Sequence, residues 1–539
     1  MTETLSAGIL ESARRYGSRT AFIFPEGTLG FAEWVEQAEA VARGLVALGV
    51  HKGDRVGLWL PNTPAWPVCE LACAFIGAVV VPINLRLRSR ELAHALRYAD
   101  LSVLVMVPRF LTNPLWERLV ELVPAAAATD ADRPLYAADF PTLRHVVVVG
   151  EEGAGPTGGI PFADLVERGR AVPSALVEAA RAAADVDDLL FMFWTSGTTS
   201  APKGVLHTHR VVSNIRNVAA HIGLQAEDVV VANKPWFYIA GNFWTMLMPA
   251  LTGATVVVCQ TFRPDEVLGA MTAHPVNVLM ATPFALGDYL EAFDPRVHAL
   301  TPQKSIVIGG APPGAELIGR ARQVFRARDI IQVYGMTETQ GYSLATARGA
   351  DDATVAETVG WPLPGFECRV VDPETGLDVP DGTPGELWVR GRTLKEYYKK
   401  PWTETFRQDF WFPTGDLFVR TERGYQVVGR IKDVIKVGGE NVAAEEVEQV
   451  LLTHPAIVKA AVVGVPDAAR GEVCAAFVQW RDEPVPEADL REWCRTQMAP
   501  FKVPHYVRTV AADGWPLTDS LKIRKTVLRE RLLAELGLA

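Results

Sequence analysis

Two periodicities alternate along the first hundred residues. Residues 31–48 (FAEWVEQAEAVARGLVAL) repeat apolar side chains at helical spacing, and residues 55–60 follow as a short apolar run that reads as a buried strand. The alternation continues with a helix over 63–76, a strand over 79–83, a helix over 89–98 and a strand over 103–107. Further short apolar runs at 146–149, 229–232, 255–259, 278–281, 305–308 and 330–333 predict more strands. Strand-like runs separated by helical patterns predict βαβ units and largely parallel sheets. No repeat of fixed period is present.

The texture changes from about Gly365. Short strands at 368–371, 386–390 and 417–420 alternate with turn residues, and Thr421-Glu422-Arg423-Gly424 predicts a hairpin turn into a strand over 425–428. After Gly429 an α+β pattern follows: an amphipathic helix over 444–452, strands over 457–465 and 474–480, and a helix over 489–498. The expected class is α/β. A large N-terminal domain of βαβ-type sheets with a small β-barrel-like part spans residues 1–431, and a small α+β C-terminal domain spans 432–539.

Composition narrows the function classes. Over 539 residues the hydrophobic fraction is 49% and the charged fraction 22%, which excludes wholesale disorder. A net charge of −10 argues against a general nucleic-acid binder, whose footprint is basic. Six scattered cysteines do not form a disulfide framework, and Cys69 with Cys73, one helical turn apart in an apolar setting, reads as core packing. The N-terminus lacks the pattern of a signal peptide, and the longest apolar run, 71–83, is broken at Pro82. That run falls short of the ~18–20 residues a membrane span needs. A cytoplasmic protein without a membrane span is expected, and its assembly, homodimer included, is left open.

Candidate chemistry concentrates in four segments. Thr195-Ser196-Gly197-Thr198-Thr199-Ser200-Ala201-Pro202-Lys203-Gly204 leaves a buried strand, and its hydroxyls, backbone N–H groups and lysine suit phosphate oxygens. It is not a Walker A loop, since Lys203 precedes a glycine. Gln332-Val333-Tyr334-Gly335-Met336-Thr337-Glu338 combines an aromatic, a hydroxyl and a carboxylate at a strand end. That set suits stacking, a phosphate contact and a magnesium ligand. Lys432 to Glu440 is a charged, glycine-containing loop, and Lys522 stands just beyond the loop 516–521. Gly153-Ala154-Gly155-Pro156-Thr157-Gly158 fits the dinucleotide fingerprint, but Pro156 and Pro161 argue against the helix that motif requires.

In this order, and with Gly309-Gly310-Ala311, Gly385–Gly391 and Thr414-Gly415-Asp416, the segments resemble the adenylate-forming superfamily of acyl-CoA synthetases, adenylation domains and luciferases. The resemblance covers nearly the whole chain, and residues 435–442 and 501–504 are most similar to bacterial fatty-acyl and carnitine-type CoA ligases. It implies an AMP-forming acid–thiol ligase using ATP, Mg2+ and coenzyme A. A carboxylate attacks the α-phosphate to give an acyl-adenylate, which CoA converts to a thioester with release of AMP.

Residue by residue, the resemblance implies that Thr195, Ser196, Gly197, Thr198, Thr199 and Lys203 hold the β- and γ-phosphates. Tyr334 and the Gly309–Ala311 backbone, Gly310 and Ala311 included, enclose the adenine, Gln332 and Gly335 also bind the nucleotide, Thr337 meets the α-phosphate, and Glu338 ligates magnesium. Asp416 takes the ribose hydroxyls with Arg430 nearby. Lys522 serves adenylation, and Lys432 is the hinge about which a mobile C-terminal domain rotates. Rotation brings Lys436, Gly438, Gly439 and Glu440 to the site for CoA. Trp236, Phe237, Tyr238, Gly241, Gly309, Val333 and Met336 frame the acyl pocket, and their apolar character implies an uncharged acyl group. Ser200, Tyr238 and Leu521 depart from the family pattern. Beside the full synthetase stand two alternatives: an enzyme performing mainly one half-reaction (thioesterification of an acyl-adenylate, or adenylation for a carrier protein), and a non-catalytic binder of acyl-adenylates or nucleotides.

Overall fold

The computed structural model describes residues 3–150, 158–195, 202–437, 440–467, 470–517 and 522–538, with Lys432 and Asn441 as backbone only. Among the described residues, two large sheets share one apolar core. In the first, Thr20–Phe24, Thr255–Val258, Val229–Ala232, Val278–Ala281, Ser305–Gly309 and Asp329–Tyr334 lie parallel, with antiparallel strands at both edges. In the second, Leu189–Thr195, Val79–Pro82, Arg55–Trp59, Leu101–Met106 and His145–Val148 run parallel. The antiparallel strand Lys203–Thr208 pairs with Leu189–Thr195 and brackets the phosphate-loop segment. The continuous apolar runs of the sequence are thus strands buried on both faces, as parallel sheets require.

The helix Ala65–Ile76 is buried at every residue, which is why its sequence shows little polar face. Cys69 and Cys73 are fully buried on it, and burial pushes the Cys69 thiol up to about 12, so both act as packing groups. One ionisable group interrupts this packing. Glu70, 1% exposed, accepts at Oε2 from Asn242 Nδ2 at 2.6 Å and from Trp66 Nε1 at 3.0 Å, while its Oε1 has no partner. Asn242 opens a π-helical stretch, Asn242–Leu247, whose wide turns follow the acyl-pocket segment.

Burial pushes the Glu70 carboxyl up to about 8, against two hydrogen bonds that pull it down, so the folded protein keeps a proton that the unfolded chain releases. The stability this group contributes is complete below about pH 4.3 and is lost as pH rises toward 8. Glu70→Gln keeps the acceptor and cannot ionise. Its stability relative to the parent is expected to rise by about 2–4 kcal/mol between pH 5 and pH 8. Denaturant midpoints of both proteins across that range check this, and parallel pH profiles would refute it.

A four-stranded antiparallel sheet, Phe366–Val371, Gly385–Gly391, Phe412–Thr421 and Gly424–Arg430, packs beside the large sheets. Along Phe412–Thr421 burial alternates, so Phe412, Thr414, Asp416 and Phe418 share the inner face. The hairpin at 421–424 forms as the turn residues predict. After Ile431–Asp433 the chain enters a cap. It comprises the sheet Val434–Val437, Glu440–Ala443, Ile457–Asp467, Gly471–Trp480 and Tyr506–Thr509, covered by Ala444–Leu452, Glu487–Gln497 and Lys525–Glu535. None of the described helices is long and apolar enough to cross a membrane.

Candidate active site

The site lies at the carboxyl ends of the parallel strands, where open α/β sheets bind ligands. Ser305–Gly309 and Asp329–Tyr334 run side by side with Gly309 opposite Val333. A Cβ on Gly309 would stand 2.7 Å from Val333 Cγ2, so only glycine lets the two strand ends approach this closely. Gln332 donates through Nε2 to the Ala311 carbonyl at 3.3 Å, and its Oε1 is a buried acceptor without a partner. Beyond Tyr334 the chain folds back sharply: a Cβ on Gly335 would meet the Gly341 carbonyl at 1.9 Å. The fold-back sets Thr337 and Glu338 on the short 3-10 turn Thr337–Thr339.

Strand alternation brings Asp416 to Tyr334. The Tyr334 hydroxyl donates to Asp416 Oδ2 at 2.6 Å, and its ring meets Phe418 edge-on at 4.8 Å. Arg430, directly across the ladder from Asp416, forms an ion pair with it, Nε lying 3.1 Å from Oδ1. Each oxygen of this buried carboxylate therefore has one charge-assisted or hydroxyl partner and lone pairs left for a diol.

Glu338 accepts from the Tyr397 hydroxyl at 2.8 Å, and Lys203 Nζ lies 5.4 Å from the Tyr397 ring centroid. Burial holds the Glu338 carboxyl above its usual range, opposed by the Tyr397 hydrogen bond and the Lys203 charge. Tyr397 is a residue that motif reading missed. Its strand, Glu396–Tyr397, pairs with Lys203–Thr208 across almost 200 residues of chain, and no local pattern announces that pairing. His207, fully buried on the same strand, is pushed down by burial to about 3 and stays neutral.

Lys522 is brought to this site. The residue is exposed overall, while crowding by protein atoms and the Arg430 charge, opposed by Asp416, hold its ammonium below the ordinary lysine value. Lys436 is not brought there: it is exposed on Val434–Val437, its backbone N–H donates to Glu472 Oε2 at 3.0 Å, and no hydrogen bond or ion pair joins it to the described site residues. Glu440 is likewise exposed on the cap. Ser196 to Ala201, Gly438, Gly439 and Leu521 lie outside the described residues, as do residues 153–157 of the rejected fingerprint and the Lys432 side chain.

The acyl-pocket segment divides. Tyr238 accepts at its hydroxyl from Asn84 Nδ2 at 3.0 Å, and its ring lies 4.7 Å from that of Phe237. Gly241 sits where a Cβ would collide with the Pro235 carbonyl. Trp236 corrects the sequence reading: fully buried, it meets Phe22, Phe24 and Trp66 edge-on at 6.0, 6.2 and 6.5 Å and belongs to the core packing. Alternation along an irregular strand exit could not separate inward from pocket-facing aromatics. Met336 packs beside Val205, Leu394, Phe406 and Phe412.

A strand-end cradle with a tyrosine–aspartate–arginine set, and a lysine reaching it from the C-terminal sheet region, suits a nucleotide. Residues 9–398 match the model of the AMP-binding enzyme family, and residues 446–522 match that of the AMP-binding enzyme C-terminal domain. The chain belongs to the AMP-binding enzyme family. Within it, the chain stands among the acyl-CoA synthetases and ligases, as an AMP-forming acid–CoA ligase. It is 31% identical to YngI of Bacillus subtilis (strain 168), whose name assigns it as an acyl-CoA synthetase, over 99% of this chain and 98% of that protein. It is 30% identical to the mitochondrial medium-chain acyl-CoA ligase ACSF2 of Mus musculus, over 98% of this chain and 87% of that one. The fold superposes on the anthranilate CoA ligase AuaEII, solved with anthranoyl-AMP, with a TM-score of 0.87 and 25% identity, covering 100% and 98% of the two chains.

Proposed function

We propose that this protein converts an apolar carboxylic acid into its CoA thioester through an acyl-adenylate formed from MgATP. The observation that carries the reading is Lys522 standing beside the Asp416–Arg430 pair at the strand ends. The proposed reaction uses that ammonium to bridge carboxylate and α-phosphate oxygens, so that catalysis is positioning plus charge stabilisation, with no protein nucleophile.

Asp416 accepts the ribose hydroxyls. The unpaired Gln332 Oε1 offers an acceptor for the adenine amino group, beside Tyr334 and the Gly310–Ala311 backbone. Lys203, with Thr195 to Thr199, neutralises the outer phosphates. Glu338 and Thr337 present the hard oxygen donors that suit Mg2+, which supplies charge neutralisation on the phosphates when bound. Phe237, Tyr238, Gly241 and Val333 offer no cation or carboxylate, which favours an uncharged acyl group. The named activities of the relatives, on medium-chain acids and on anthranilate, lie within that class.

The second half-reaction requires a different face of the cap. Residues 432–539 form that cap, the body is 1–431, and Lys432 is the pivot. Rotation withdraws Lys522 and presents Lys436, Gly438, Gly439 and Glu440 to the CoA thiol. A panel of medium-chain and aromatic acids, assayed for pyrophosphate and for AMP with and without CoA, tests the reading. Acid-dependent pyrophosphate release together with CoA-dependent thioester is expected. Thioester formed only from supplied acyl-adenylate would restrict the protein to the second half-reaction.

A further inference from the structure

One lysine of the cap sits between aromatic rings of both domains. Lys459, on Ile457–Asp467, places Nζ 4.8 Å from the ring centroid of Phe284 in the body and 5.1 Å from that of Trp515 in the cap. Phe284 lies in the first turn of Pro283–Ala292. The N-cap of that helix, Thr282, has its Cγ2 3.5 Å from where Gly310 would carry a Cβ, so the helix starts at the nucleotide loop. Asp288, one turn along, adds an attractive field to the Lys459 ammonium, against the effect of burial.

The cap side of the contact leads to Lys522. Trp515 is 6% exposed, and its Nε1 donates to Gln479 Oε1 at 2.8 Å. An antiparallel bridge between Leu517 and Ile523 closes the chain just beyond it. Trp515 therefore lies two residues before a bridge whose other member, Ile523, follows Lys522 directly.

We infer that Lys459 is a positioning residue for adenylation: clasped between Phe284 and Trp515, it ties the Leu517–Ile523 bridge beside Lys522 to the body. A cation over an aromatic face is attracted by the ring quadrupole, and here one ammonium serves two rings in different domains. A rotation that withdraws Lys522 also separates Lys459 from Phe284. The contact is thus made in one cap orientation and favours it, as a ligand with differential affinity favours one state. The inference rests on the two-step reaction proposed above, but it can be tested apart from it.

Lys459→Ala is expected to slow acyl-adenylate formation from octanoate or benzoate about fivefold to tenfold, a range consistent with a partly desolvated cation–π contact. Thioester formation from supplied octanoyl-AMP or benzoyl-AMP stays within about twofold, and Lys459→Arg, which keeps the cation, restores adenylation. Phe284→Leu reproduces the alanine effect from the other domain. A lysine that merely stabilises the cap would depress both half-reactions together, and that result overturns the proposal. Independently of turnover, spin labels at Val297→Cys and Leu452→Cys, on exposed sites of body and cap, report the inter-domain distance. The distribution is expected to broaden in Lys459→Ala and not in Lys459→Arg; an unchanged distribution refutes the clasp. A parent protein that forms no adenylate from any acid overturns the reaction scheme, and the distance measurement still decides the clasp.

Discussion

Lys522→Ala is expected to slow acyl-adenylate formation by about two to three orders of magnitude, the size of effect seen when one preorganised charge-stabilising donor is removed. Thioester formation from supplied acyl-adenylate is expected to stay within about threefold of the parent. The asymmetry follows from where the side chain stands. Lys522 is close enough to Asp416 and Arg430 to feel both charges, whereas Lys436 is exposed on the cap and its backbone is bonded to Glu472. Single-turnover pyrophosphate release, compared with CoA-dependent decay of a supplied acyl-adenylate, separates the two steps. Equal losses in both would remove Lys522 from its assigned role.

Asp416→Ala carries the second large effect, an expected fall in kcat/KM for ATP of about a hundredfold or more. Two causes add. In the proposed complex the ribose loses its acceptor, and Arg430 loses its ion-pair partner and the Tyr334 hydroxyl its acceptor. Breaking a buried charge pair by removing one partner leaves the other charge uncompensated, which costs about 3–5 kcal/mol where burial is complete and less at the half-exposed Arg430. Asp416→Asn discriminates the causes. An asparagine can turn Nδ2 to the Tyr334 hydroxyl and keep Oδ1 toward Arg430 but carries no charge to pair with the guanidinium, so this variant should recover part of the ATP affinity and only part of the stability. ATP titration by calorimetry alongside thermal melts checks both; full recovery of stability in the asparagine variant would show that the charge on the Asp416–Arg430 pair contributes little.

Both effects depend on geometry that is only partly legible in the sequence. The parallel strands were readable because burial on both faces turns them into unbroken apolar runs, as at Val229–Ala232 and Val278–Ala281, where predicted and observed bounds coincide. The helix Ala444–Leu452 was readable for the opposite reason: one apolar stripe against an acidic face. Residues whose role comes from ordered motifs, such as Asp416 and Lys522, were legible by type and order. Their partners were not. Tyr397 reaches Glu338 through an edge-strand pairing, Glu70 is held by an asparagine 172 residues away, and Lys459 meets Phe284 across a domain boundary. Trp236 shows the converse limit, since a pocket wall and a core wall draw on the same apolar residues.

The pairing of Asp416 with Arg430 has a mechanical meaning beyond ribose recognition. Arg430 is the last residue of its strand, and the 3-10 turn that leads into the cap begins at Ile431. In the two-step scheme proposed above, a cap that swings about residue 432 would turn right beside the residue paired with the ribose-binding carboxylate, so a bound nucleotide would steady the bearing while the lever moves.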